Sequence, residues 1–124
     1  MANRHVQGWK ASGMAKIIAV AGGRNRQHLE NFMQKHDIVN GSQDYQKSIK
    51  QYQSDVVSVC VPVFLHKEIT CYAAKHACHV LCEKPLALNL ADNKTMIRIC
   101  QENNVLLGVD FQRRYWRMLY SLKK

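Results

Sequence analysis

The sequence holds no apolar run long enough to cross a bilayer. Its opening residues, Met1 to Lys10, contain no apolar h-region, so no secretory signal is visible. The five cysteines, Cys60, Cys71, Cys78, Cys82 and Cys100, form no C-x-x-C pair and are odd in number. Cys60, Cys82 and Cys100 lie in apolar contexts and read as small buried residues, which points to a reducing compartment and a cytoplasmic location. There is no internal repeat and no low-complexity linker. Acids are scarce: nine Asp and Glu stand against 18 Lys and Arg, a formal net charge of +9. Such a balance can mark a nucleic-acid surface. Here the basic residues are scattered, no Lys/Arg block exceeds two, and no aromatic-basic platform accompanies them. A phosphorylated cofactor serves equally well as the anionic partner. Neither a nucleic-acid partner nor a membrane is expected.

What is present is a chain of 124 residues, 47% hydrophobic and 22% charged, enough for one globular domain with a real core. Met1 to Ser12 reads as a helix with Val6 and Trp9 on one face and Gly13 as its C-cap. Lys16 to Ala21 is a short apolar run, as expected of a strand buried on both faces, and ends in Gly22-Gly23-Arg24. Asn25 can cap a helix carrying Leu29, Phe32, Met33 and His36 on one face. A minimal strand fits between Val39 and Ser42, and Asp44 can cap a short helix bearing Tyr45, Ile49 and Tyr52.

Asp55 to Val61 is the strongest strand, rich in β-branched residues and closed by Pro62. Leu65, Ile69, Tyr72 or Ala73, and His76 then line a helix. His79 to Cys82 is a strand, followed by Glu83-Lys84-Pro85. Asn89 can cap the next helix, with Met96, Ile97 and Cys100 inward. Val105 to Val109 is a last strand, and Asp110 to Trp116 leads into a final helix. Strict alternation of helices with nearly continuous apolar strands predicts an α/β fold with a parallel sheet. In such sheets ligands sit at the carboxyl ends of the strands, which is where Glu83 and Lys84 fall. Pro85 stops the strand and restricts Lys84, which helps to aim it. Taken alone, Glu-Lys-Pro reads first as a solvated strand-to-loop edge.

Three ordered motifs change that balance. Val59-Cys60-Val61-Pro62 leads to Leu65-His66, Cys78-His79 runs through Glu83-Lys84-Pro85 to Ala87, and Phe111-Gln112-Arg113-Arg114-Tyr115 follows the last strand. Together they resemble the Gfo/Idh/MocA family of NAD(P)-dependent oxidoreductases, over essentially the whole chain. The resemblance implies a Rossmann-like, doubly wound parallel sheet. It also implies hydride transfer between a nicotinamide and a hydroxyl-bearing carbon of a sugar, cyclitol or related polyol. A non-catalytic nucleotide-binding or regulatory module is the alternative.

By the same resemblance Lys84 is the catalytic lysine and a cofactor-binding residue, reaching the substrate hydroxyl and the nicotinamide region, and Pro85 follows a cis peptide bond. Glu83 neutralises and orients Lys84 or touches the cofactor; a plain surface ion pair is the competing reading. Val61, Pro62, Leu65 and His66 line the cofactor site, although Val61-Pro62 lacks the hydroxyl of the family's Thr-Pro, and His66 can also be an ordinary residue at a helix start. Gln112 approaches the nicotinamide, and Arg113 or Arg114 can serve interdomain ion pairs. Gly22, Gly23 and Arg24 occupy the strand end where an acid would hold the ribose of NAD. No acid stands there. Arg24, with Arg26 near, suits a 2′-phosphate, so the cofactor is NADP or NAD with the lean to NADP. His5, His28, His36, His76 and His79 show no metal-ligand spacing, and no metal is expected.

Against the family pattern, an initial strand of on the order of ten residues with its glycine-rich turn is missing before Met1. Residues 1–112 then form a partial NAD(P)-binding domain, and residues 113–124 begin the connection to a C-terminal substrate domain. Homo-oligomers are expected only of a full-length protein. Loss of a central strand should leave two unpaired inner edges, or force the Ile17-Ile18 strand against Val56-Val57. Either costs backbone hydrogen bonds, so the isolated chain is expected to be poorly stable.

Overall fold

The computed structural model describes residues 1–115; the expected final helix beyond Tyr115, and with it most of the 113–124 connection, lies outside the described residues. Helix α1 spans Ala2–Ser12 and strand β1 Val20–Ala21. Helix α2 (Arg26–His36), strand β2 (Gly41–Ser42) and helix α3 (Tyr45–Tyr52) follow. Strand β3 (Val56–Val59) passes through a 3-10 turn at Val63–Leu65 into helix α4 (His66–Lys75). Strand β4 (His79–Cys82), helix α5 (Leu90–Glu102), strand β5 (Leu107–Val109) and a 3-10 turn at Gln112–Tyr115 complete the described residues.

Helix boundaries follow side-chain chemistry. Asn25 accepts the His28 N–H, Asp44 accepts those of Gln46 and Lys47, and Asn89 accepts that of Asp92, so each cap satisfies otherwise orphaned donors. Gly13 ends α1 at φ 64°, a left-handed conformation that costs glycine nothing. Lys10 in the last turn of α1 donates to the His36 carbonyl, and Asn3 Oδ1 lies 2.6 Å from His36 Nε2, which ties α1 to the end of α2.

All strand pairs are parallel, but they form two separate ladders, β1-β2 and β3-β4-β5. No ladder joins β1 to β3 among the described residues. Of the two expected outcomes, unpaired inner edges and not a forced contact is the one observed. The expected strand at Lys16 to Ala21 is correspondingly cut to Val20–Ala21. Among the described residues its one ladder partner is the two-residue β2, and no strand there registers against Ile17 and Ile18. The strands are also less enclosed than a sheet covered on both faces: Val56 is 39% exposed.

The core lies between β3-β4-β5 and the layer of α4 and α5. Val59, Val80 and Cys82 from the strands meet Ile69 and Ala73 of α4 and Met96 of α5. Met96, Ala73, Ala74 and Cys82 are fully buried. Ile97, expected inward, is 45% exposed: it lies one residue past Met96, about 100° around the helix, whose buried residues are Met96 and Cys100.

Candidate functional site

Register sets the site. Val59 pairs with Cys82 and Cys82 with Val109, so the carboxyl ends of β3, β4 and β5 stop at one level. The residues that follow are therefore neighbours: Cys60-Val61-Pro62, Glu83-Lys84-Pro85 and Asp110-Phe111-Gln112. Backbone bonds fix the level, with Glu83 N–H donating to the Val59 carbonyl at 3.0 Å and Asp110 N–H to that of Cys82 at 2.9 Å.

Glu83 is 4% exposed. A carboxylate so deep needs donors. His5 of α1 supplies one: its Nε2 lies 3.2 Å from Glu83 Oε1 and 3.3 Å from Asp110 Oδ2. The other Glu83 oxygen, Oε2, accepts the Lys84 N–H at 3.1 Å. Glu83 thus does not pair as a surface ion with Lys84 through side chains; it holds the lysine's backbone. The Lys84–Pro85 peptide bond is cis, as the resemblance implied, and Lys84 itself is exposed at the ligand edge. The ligand atoms of His5, Glu83 and Asp110 lie within 4.8 Å of one another, a nitrogen-plus-carboxylates set of the kind that suits borderline divalent cations.

His66 opens α4 and is 1% exposed. Its Nε2 is 2.9 Å from the Val61 carbonyl oxygen, and its Nδ1 is 3.0 Å from that of Pro85 and 3.2 Å from that of Leu86. The ring therefore clamps the exit of β3 to the turn after β4. Val61 and Leu65 pack against the core cluster, as do Leu86 and Ala87. Pro62 is exposed and begins the 3-10 turn, its carbonyl accepting Leu65 N–H at 2.9 Å. Gln112 is half-buried at the start of the turn after β5.

Gly22, Gly23 and Arg24 sit on the other ladder, at the carboxyl end of β1. Gln43 Nε2 donates to the Gly23 and Arg24 carbonyls, and Gly22 N–H donates to Ser42. A Cβ on Gly22 would come within 3.1 Å of Leu29 Cδ1, whereas one on Gly23 would meet nothing within 4 Å. Arg26 is engaged by Glu30 at 2.8 Å.

The thiols behind the site are inert. Burial, with the nearby Glu83 charge adding, pushes Cys60 up to about 12 and Cys82 up to about 11. Cys82 is buried, as its apolar context suggested, whereas Cys60 is only half-buried; both stay protonated near neutral pH.

Sequence reasoning placed the Glu-Lys-Pro turn and the β3 exit together, and the fold brings them together. It missed His5 and Asp110. A signal existed for both. Asp110 follows the last strand as Glu83 follows β4, so equal register sets the two acids side by side. His5 precedes Trp9 by four residues, and Trp9 faces the sheet through a 2.8 Å hydrogen bond to Ser58.

Residues 1–111 match the family described as "Oxidoreductase family, NAD-binding Rossmann fold", known by the letters Gfo/Idh/MocA. The chain belongs to this family. It is similar to the myo-inositol 2-dehydrogenase of Thermotoga maritima, 32% identical over 97% of this chain and 36% of the relative. It is similar also to the NADP(+)-dependent scyllo-inositol 2-dehydrogenase of Bacillus subtilis, 31% identical over 82% of this chain and 31% of the relative. Among solved structures, a probable dehydrogenase from Thermotoga maritima superposes with a TM-score of 0.89 at 33% identity, covering 96% of this chain and 35% of that one. The Rossmann-like α/β fold and the membership among NAD(P)-binding oxidoreductases inferred from the three motifs thus hold. The chain spans about a third of the length of these relatives. No helix among the described residues is long and apolar enough to cross a membrane.

Proposed function

We propose that this chain is the nucleotide-binding part of an NAD(P)-dependent oxidoreductase acting on a hydroxyl-bearing carbon of a cyclitol, sugar or related polyol. The observation that carries the reading is the Glu83-Lys84-Pro85 turn at the aligned carboxyl ends of three parallel strands, with an exposed lysine held by its own backbone. The inositol dehydrogenases among its relatives support the substrate class. The nucleotide domain extends to residue 112, and residues 113–124 lead toward a substrate-binding domain.

The residues present fit a dinucleotide. The open space around Gly23 and the exposed Arg24 leave room for an adenosine ribose at the end of β1. With Arg26 paired to Glu30, Arg24 is the cation that takes a 2′-phosphate, which favours NADP over NAD. Val61, Pro62 and Leu65 shape the wall from the β3 exit, and His66 keeps that wall in place. Gln112 flanks the reacting end. The bound nicotinamide supplies hydride acceptance or donation. Lys84 stabilises negative charge developing on the substrate oxygen.

The test is separate titration of NADPH and NADH into the chain, with Arg24→Ala and Lys84→Ala beside it. NADPH should bind tighter, and Arg24→Ala should reduce that preference about tenfold, the worth of one charge-assisted contact. Lys84→Ala should leave both affinities within about threefold, because Lys84 acts on the substrate oxygen. Failure to bind either dinucleotide would overturn the reading.

A further inference from the structure

The contacts of Glu83 extend to a group outside the motif. His5 comes from the first turn of α1, Glu83 from the end of β4 and Asp110 from the end of β5, so three elements converge on one ring nitrogen. The side chains of His5 and Glu83 are each 6% exposed, that of Asp110 25%. Two ionised carboxylates can only accept. A ring nitrogen facing both must carry a proton, whichever state Nδ1 adopts. The His5 N–H is then the donor that lets two carboxylates share a buried space. Glu83 passes the constraint on: with Oε1 held by His5, Oε2 is turned to the Lys84 N–H.

From this geometry we infer that His5 and Asp110 are positioning residues for Lys84, acting through the Glu83 carboxylate. The inference rests on the role given to Lys84 under the proposed function, and deepens it. Without the His5 donor, the Glu83 and Asp110 carboxylates repel and Glu83 turns away. The Lys84 N–H then loses its acceptor, and the lysine loses its fixed starting point at the ligand edge. Asp110, 3.3 Å from the same Nε2, is the second acceptor beside Glu83 and keeps that N–H directed between the two carboxylates.

Nuclear magnetic resonance on the 124-residue chain tests this without any cofactor. In the wild type, the ring nitrogens of His5 should show Nε2 protonated; a ring protonated on Nδ1 alone overturns the inference whatever the variants do. Amide exchange is then followed at Lys84, with Val80, whose N–H donates to the Leu106 carbonyl inside the same sheet, as the control. His5→Ala should speed exchange at Lys84 about tenfold and leave Val80 unchanged. His5→Gln restores a side-chain N–H and should recover most of the protection. Equal acceleration at Lys84 and Val80 would mean His5 merely supports the fold, and no acceleration at Lys84 would mean it positions nothing; either result overturns the inference. A Lys84 exchange rate that shifts on adding zinc or EDTA would assign the three side chains to a metal and overturn it as well. Should His5→Ala fail to fold, Asp110→Ala gives the second reading, with faster Lys84 exchange expected and unchanged exchange contrary. Dinucleotide titrations run separately, so a chain that binds neither NADH nor NADPH sinks the proposed function while the Lys84 amide still decides this one.

Discussion

Nδ1 of His66 lies 3.0 Å from the carbonyl oxygen of Pro85, joining the first residue of α4 to the turn after β4. The opposite nitrogen, 2.9 Å from the Val61 carbonyl oxygen, reaches the exit of β3. A ring buried to 1% exposure between backbone acceptors is hard to replace. His66→Ala removes a donor, strands a carbonyl and opens a cavity, and should cost about 3 kcal/mol in urea unfolding. His66→Gln keeps one donor and should cost clearly less. Equal losses for the two would mean that the ring contributes volume and not hydrogen bonding.

Two thiols, half-buried Cys60 and buried Cys82, give the protein an alkaline limit. Burial raises Cys60 to about 12 and Cys82 to about 11 from an ordinary value of 9.0. In the unfolded chain both return to their ordinary range, so above pH 9 the unfolded state binds fewer protons than the folded one. Their contribution is therefore complete below about pH 9 and is lost as pH climbs toward about 11 to 12. The urea midpoint should be flat from about pH 7 to 8.5 and fall beyond, and the fall should be shallower in Cys60→Ala. At pH 8, iodoacetamide followed by mass spectrometry should leave Cys60 and Cys82 unmodified while the fold persists.

Gly41 in β2 is a matter of space. A Cβ there would overlap Met33 Sδ and come within 2.9 Å of its Cε. The obstacle is the flexible end of a thioether, which can swing aside at modest cost. Gly41→Ala should destabilise by about 1 kcal/mol, and the loss should shrink when Met33→Ala is combined with it. A strictly additive double mutant would show that the two positions do not touch.

How far these features could be read in advance depends on the range of the interaction behind them. Caps are local: Asn25, Asp44, Asn89 and Gly13 each act within four residues, and each was legible. Helical faces were legible where one line of residues meets the sheet, as with Met96 and Cys100. They were not where a neighbour one position on, Ile97, had the same apolar character but the wrong angle. Strand length was illegible at Lys16 to Ala21, because a strand exists only where a partner registers with it, and pairing is not a property of the segment. The motif located Glu83 and Lys84, but not the histidine 78 residues away that Glu83 meets. His66 illustrates the same limit: its place at the start of a helix was visible, while the carbonyls it clamps belong to two other segments.

The pair of Lys67 and Asp92 links the starts of α4 and α5 beside the site. Lys67 Nζ donates to Asp92 Oδ1 at 2.6 Å, and Asn89 Nδ2 donates to Asp92 Oδ2 at 2.9 Å. The Lys67 hydrogen bond, then that of Asn89, holds the Asp92 carboxyl below its usual range, and Asp92 in turn raises Lys67. A carboxyl depressed in the folded state contributes stability above its unfolded value and loses it as pH falls through the folded one. Both side chains are partly exposed, so salt screens the effect and its contribution to stability is small. The titration itself is the sensitive measure. Carbon-13 shifts of the Asp92 carboxyl should give a midpoint below the ordinary 3.8, rising toward it in Lys67→Met. A midpoint that does not move in Lys67→Met would leave Asn89 as the group that holds Asp92. In that case α5 would be capped from within its own sequence, with no electrostatic tie to α4.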